Sequence, residues 1–143
     1  MKINIVSVGK LQKEFNTLFE GYKKKIEFYS KLNIIEVKEV NDKNMKVQIE
    51  KETQAILNAI PKNSEVILCS LKGKTYSSVE FSDFFNKDNL TFVIGGSHGV
   101  DESKFTNKIK FSDMTFPHQM FRVMLIEQIF RSLSIKNGSK YHK

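Results

Sequence analysis

Apolar positions along the chain alternate between a period of two and a period near 3.6, the signature of strands interleaved with helices. Ile3-Asn4-Ile5-Val6-Ser7-Val8 reads as a first strand, closed by Gly9. Phe15, Leu18, Phe19, Tyr22, Ile26 and Tyr29 recur at helical spacing, which predicts an amphipathic helix over residues 11–30 with Lys23-Lys24-Lys25 on its outer face. Ile34 to Val40 predicts a second strand, and a helix follows the polar stretch Asn41 to Lys46, running to Ile60 where Pro61 stops it. Glu65 to Leu71 predicts a third strand with Val66-Ile67-Leu68-Cys69 as its buried run, and Lys72-Gly73-Lys74-Thr75 reads as a turn. Ser77 or Ser78 caps a short helix bearing Val79, Phe81, Phe84 and Phe85. Leu90 to Ile94 is a fourth strand running into Gly95-Gly96-Ser97-His98-Gly99, and Asp101 caps another short helix. A strand around Ile109 to Phe111 and a helix from Pro117 to about Ile135 complete the pattern, with Asn137 to Lys143 as a tail.

This alternation implies an α/β fold, a mostly parallel sheet with helices on both faces. With no internal repeat, low-complexity tract or linker, residues 1–143 are expected to form a single domain. Such sheets bind ligands beyond the carboxyl ends of their strands. Those ends are Val8-Gly9-Lys10, Cys69 to Lys74, Ile94 to Gly99 and Phe111 to Phe116. The last three lie on consecutive strand exits, so one pocket can draw on all of them.

Charge sharpens the picture. Twenty-three Lys plus Arg against 16 Asp plus Glu leave a net charge of +7, which suggests an anionic partner, with nucleic acid the commonest. Only Arg122 and Arg131 are arginines, both in the last helix, where a planar bidentate donor does what lysine cannot. One cysteine, Cys69, cannot form an internal disulfide and suggests no metal cluster. No apolar run is long enough to cross a bilayer, and the N-terminus lacks the apolar core of a signal peptide. A soluble cytoplasmic protein is the expectation.

Several groupings carry chemistry. The Gly95–Gly99 loop lets backbone approach a ligand closely, but its spacing is neither that of a dinucleotide fingerprint nor that of a P-loop; alone it also fits a tight turn. His118 and Arg122 stand one turn apart on one face of the last helix. Arg131 falls on the opposite face from Arg122, and its spacing from Glu127 suits a helix-surface ion pair. Met120, Phe121, Val123, Met124, Leu125, Ile126, Ile129, Phe130 and Leu133 make that helix apolar almost all round, which suggests burial against a second subunit. In the tail, Tyr141 can stack on a base, His142 can accept a proton, and Lys140 and Lys143 can hold phosphates, although chain ends are commonly frayed.

Taken together these residues resemble the ribosomal RNA large-subunit methyltransferase H family, a branch of the SPOUT class. The resemblance is carried in order by Val6-Ser7-Val8-Gly9-Lys10, Leu71-Lys72-Gly73-Lys74 and Val93-Ile94-Gly95-Gly96. It continues through Phe111-Ser112-Asp113-Met114-Thr115-Phe116-Pro117-His118-Gln119-Met120, Arg122, Glu127-Gln128, Arg131 and Tyr141-His142-Lys143. It implies an α/β domain with a C-terminal trefoil knot, acting as a homodimer. The implied reaction transfers a methyl group from S-adenosyl-L-methionine to N3 of a pseudouridine in large-subunit rRNA within the ribosome, without a metal or a membrane. Cys69, Leu71, Gly95, Gly96, Phe111, Ser112, Asp113, Met114, Thr115 and Phe116 would bind the cofactor, largely through backbone groups. His142 would assist proton removal, Tyr141 would hold the flipped base, and Arg122 would position the RNA or the imidate oxygen. His118 is left with a structural role. The chain departs from the family in a shortened loop at Lys87 to Asn89, in His98, and in Thr53, where glycine is frequent. A SPOUT enzyme acting on tRNA, or a non-catalytic basic ribosome-binding protein, are the alternatives.

Overall fold

The computed structural model describes all residues from Met1 to Lys143. Five strands form one sheet: β1 (Lys2–Val8), β2 (Lys31–Val37), β3 (Glu65–Thr75), β4 (Asn89–Ile94) and β5 (Lys108–Lys110). Their order is β2-β1-β4-β3-β5, and every neighbouring pair is parallel. The four α-helices are α1 (Lys13–Glu27), α2 (Met45–Ala59), α3 (Ser78–Ser82) and α4 (His118–Lys136), with short 3₁₀ turns at Asp83–Asn86 and Glu102–Lys104.

β1 is an inner strand between β2 and β4, buried on both faces from Ile3 to Val8. Ile3 and Ile5 face the larger core, which they share with Phe19 and Ile26 of α1, Phe81 of α3, and Leu125, Ile126, Ile129 and Leu133 of α4. Val6 and Val8 face the other layer, where Ile56 of α2 meets Leu68, Val93 and Phe105. The helices therefore divide one against three across the sheet. Between these apolar layers Asn4 forms a polar bridge. It donates to Asn89 Oδ1 at 2.9 Å and Thr91 Oγ1 at 3.1 Å, and accepts from Asn33 Nδ2 at 2.9 Å, so three strands are locked in register.

The helix ends follow local chemistry. Asn44 caps α2 by accepting from Lys46 N–H at 3.0 Å. Ser77 and Glu80 form a capping box on α3, and those bonds hold the Glu80 carboxyl below the usual range. α1 lacks a side-chain cap of its own. Instead the side-chain Oε1 of Gln119 at the start of α4 accepts from Gln12 N–H at 2.7 Å.

Two elements differ from the sequence reading. β2 runs Lys31–Val37 rather than Ile34 to Val40: Lys31, Leu32 and Asn33 pair with Lys2, Ile3 and Asn4, and pairing ends where Val37 meets Val8 at the end of β1. The expected turn at Lys72–Thr75 is strand. Cys69 and Lys74 both register with Ile109, so residues 70–73 bulge outward and β3 then rejoins β5. Gly73 permits this, since a Cβ there would lie 2.5 Å from the Ile109 backbone.

Candidate functional site

The β3 bulge, the glycine loop after β4 and the loop after β5 surround a single cleft of about 570 Å3. These are the three consecutive strand exits. Its floor and walls include Leu68, Ile94, Ile109, Phe111, Phe116 and Phe121, giving an apolar slot. Cys69, Leu71, Gly95, Gly96, Phe111, Ser112, Met114, Thr115 and Phe116 all line it. Asp113 does not. Its carboxylate is exposed and paired with Lys110, which holds it below the usual carboxylate range. The fourth strand exit, Val8 to Lys10, also lies outside the cleft.

Local bonds set the shape of the lining. Ser112 Oγ accepts from Met114 N–H at 3.0 Å, which turns the loop back toward Pro117. Phe111 packs on Phe121 of α4 with ring centroids 4.8 Å apart. Apolar surroundings push the Cys69 thiol far above its ordinary range, so at neutral pH it is a neutral wall residue. His118, at the first turn of α4, lines the cleft and has a buried Nδ1 without a partner in the chain. His98 is exposed and is not part of the lining.

Among the polar residues of the lining is one that the sequence pattern does not single out. Glu102 is the only carboxylate there. Ser70 Oγ lies 2.7 and 2.9 Å from its two oxygens, and Lys108 Nζ lies 3.6 Å from Oε1. No spacing rule marks Glu102, because this 3₁₀-turn residue finds its partners on two different strands, β3 and β5.

Arg122 requires a correction. Expected at the RNA or the substrate, it is instead 1% exposed within its own chain. Nη2 donates to Val8 O at 2.9 Å, and Nη1 donates to Gly9 O at 3.2 Å and to Glu36 Oε2 at 2.9 Å. Burial lowers its pKa and the Glu36 carboxylate opposes that shift. The guanidinium ties α4 to the ends of β1 and β2, and no donor faces solvent. His118 and Arg122 thus share a helix face but not a site.

The tail is folded back onto α4 rather than frayed. Arg131 donates to Glu127 Oε1 at 2.8 Å, as the spacing predicted, and also lies 3.1 Å from His142 Nδ1 and 4.9 Å from the Tyr141 ring centroid. Tyr141 packs edge-on against Phe130 at 4.7 Å. Burial, then the Glu127 charge, raise the Tyr141 phenol above its usual range. A guanidinium has no acceptor, so Nδ1 of His142 must accept and the ring N–H is Nε2. His118 and Arg131 are thirteen residues apart on α4, about 20 Å along its axis. The cleft and the tail therefore occupy opposite ends of one helix.

No helix is long and apolar enough to cross a membrane, and no three His, Cys, Asp or Glu side chains cluster at metal-binding distance. The family model described as predicted SPOUT methyltransferase matches residues 1–142. The chain is 58% identical over 143 residues to ribosomal RNA large subunit methyltransferase H of Mycoplasma mobile, covering both chains completely. It is 60% identical over 144 residues to the protein of that name in Mycoplasmopsis synoviae, again covering both completely. A relative from Clostridium tetani with the same name is 46% identical over 159 aligned positions, so it carries insertions that this chain lacks.

Proposed function

Since the chain belongs to the SPOUT methyltransferase family, we propose that it transfers the methyl group of S-adenosyl-L-methionine to N3 of a pseudouridine in large-subunit rRNA. The substrate in this reading is the assembled ribosome, which places the protein in the cytoplasm. The observation that carries it is the convergence of the three strand-exit loops on one apolar cleft. The cleft falls within the size range of cofactor sites, about 300–1,000 Å3.

The residues present fit this cofactor. An adenine suits the slot between Leu68, Ile94, Ile109 and Phe116, and the glycines expose backbone edges for its ring nitrogens. Glu102 and Ser112 offer polar groups for hydroxyl or amino functions. When bound, the cofactor supplies an activated sulfonium methyl. The protein's work is alignment of two partners and handling of the N3 proton.

The tail supports a specific division of that work. With Nδ1 engaged by Arg131, His142 presents Nε2–H, a donor suited to the imidate oxygen that forms as N3 loses its proton. Acting as the base, the role expected from the sequence, would require Nδ1 to leave Arg131. In this reading Tyr141 holds the base by stacking, and its packing on Phe130 and under the Arg131 guanidinium supports that role by fixing the ring next to His142. Arg131 is the positioning residue for both. Because a tail held at one end of α4 does not reach the cleft at the other, the reading includes a homodimer in which one chain's tail completes its partner's cleft. The family's trefoil knot is part of the same reading; it is supported by the close approach of the β3 backbone at Gly73 to Ile109 of its parallel neighbour β5.

Single-turnover methylation at saturating cofactor tests the proposal. The purified protein is expected to methylate pseudouridine in intact ribosomes and not free tRNA. His142→Ala and Arg131→Ala should each slow the reaction by about a hundredfold, with cofactor binding retained by calorimetry. His142→Asn, which keeps a donor, should recover part of the rate. Normal turnover by His142→Ala would remove the assigned role. Methylation of tRNA alone would change the substrate, and no binding of S-adenosyl-L-methionine by the wild-type protein would overturn the cofactor assignment.

A further inference from the structure

Helix α2 presents an unusual face to the sheet: Gln48, Glu52 and Thr53 are three of its four buried residues. Glu52 is fully buried, and no cation pairs with it. Its Oε2 accepts from Val40 N–H at 2.9 Å, while Oε1 has no partner within the chain. That free oxygen faces the glycine loop: it is the nearest atom, at 2.9 Å, to where a Cβ on Gly96 would stand. The next residue, Thr53, reaches the far end of the same loop, where Oγ1 accepts from Asp101 N–H at 3.0 Å. Burying a carboxyl with one unmatched oxygen is costly, and an apolar side chain would not carry that cost. The cost falls where α2 meets the loop that walls the cleft.

We propose that the Glu52–Thr53 step of α2 is the template that positions the cofactor loop. Thr53 pins the loop where it ends at Asp101. Glu52 sets the depth at which Gly96 lies and holds a free acceptor ready for a loop N–H when the cleft fills. Gly96 is required there because any side chain would displace either Glu52 or the loop. Neither side chain lines the cleft, so both act through the backbone they hold. The inference rests on the reading of the cleft as the S-adenosyl-L-methionine site.

The test uses Thr53→Val, Thr53→Ser and Glu52→Gln in the full-length protein. It combines calorimetry with S-adenosyl-L-methionine, hydrogen exchange of residues 95–101, thermal melting and single-turnover rate against cofactor concentration. Thr53→Val and Glu52→Gln are each expected to weaken cofactor binding about tenfold, the effect of one buried hydrogen bond. Exchange should quicken in the loop but not in α1 or α4. The rate at saturating cofactor should hold while the concentration needed to reach it rises, and Thr53→Ser should restore wild-type binding. Wild-type affinity in Thr53→Val would overturn the proposal. So would exchange that quickens throughout the molecule with rate and affinity falling together, which marks a merely structural role. Should Glu52→Gln fail to fold, the Thr53 pair still decides. If the wild-type protein binds no cofactor, the cleft reading fails, while loop exchange in Thr53→Val still reports on the clamp.

Discussion

Replacing Arg122 with methionine separates a buried tie from an RNA contact. The substitution keeps an unbranched apolar stem of similar length but removes three donated bonds, to Val8 O, Gly9 O and Glu36. Glu36 is exposed enough to be rehydrated, so its loss costs little. The Val8 carbonyl is buried and the Gly9 carbonyl partly so, and an unmatched buried acceptor costs about 1–3 kcal/mol. Some of that is offset by the added apolar contact, leaving a net loss of about 3 kcal/mol. With a urea dependence of about 2 kcal/mol per molar, the unfolding midpoint should fall by roughly 1.5 M. Circular dichroism in urea, at one fixed protomer concentration so that association contributes equally, reads this directly. Arg122→Lys retains the charge but not the fork, and is expected to fall between the two. Arg122→Met with a midpoint unchanged within error, together with weakened ribosome binding, would refute the reasoning and return Arg122 to the RNA.

The other expectations concern the cleft wall and the tail. At pH 8 the native Cys69 thiol should react with a disulfide reagent more than about tenfold slower than in the urea-unfolded chain, and S-adenosyl-L-methionine should slow it further. Reaction at the unfolded rate would mean that the wall does not shield it. The raised pKa of Tyr141 means that the docked tail keeps its phenolic proton where an unfolded chain has lost it. Its contribution to stability is therefore complete below the unfolded phenol pKa, and is lost as pH rises through the folded value. The tyrosinate absorbance difference between wild type and Tyr141→Phe should titrate at higher pH than free tyrosine; an equal midpoint would place the ring in open water.

Much of the architecture was legible because it is local. Alternation in Ile3 to Val8, the helical repeat from Phe15 to Ile26, Pro61 after α2 and the Ser77 cap are each decided within a few residues. The cleft was legible for the same reason, since parallel strands end where glycine and polar loops begin. The start of β2 was missed because Lys31 and Asn33 are polar, and Asn33 lies in a strand through its bond to Asn4. Chain order does not show which side of a loop the Asp113 carboxylate takes. The missed residues Glu102 and Glu52 share one property: the groups that give them meaning are distant in the chain.

The sequence by itself determined the strand–helix alternation, the three converging loops, the net charge of +7 and the Glu127–Arg131 pair. All of these depend on spacing along one segment or on composition. Tertiary structure alone decided that Arg122 closes onto Val8, 114 residues away, rather than facing an RNA. It also decided that the tail docks on Arg131 at the end of α4 remote from the cleft, and that Thr53 of α2 bonds to Asp101 while the Glu52 carboxyl lies against Gly96. A polar side chain takes its role from whichever partner the fold brings within about 3 Å. For buried groups that partner is set by packing of the whole chain, which no local period encodes.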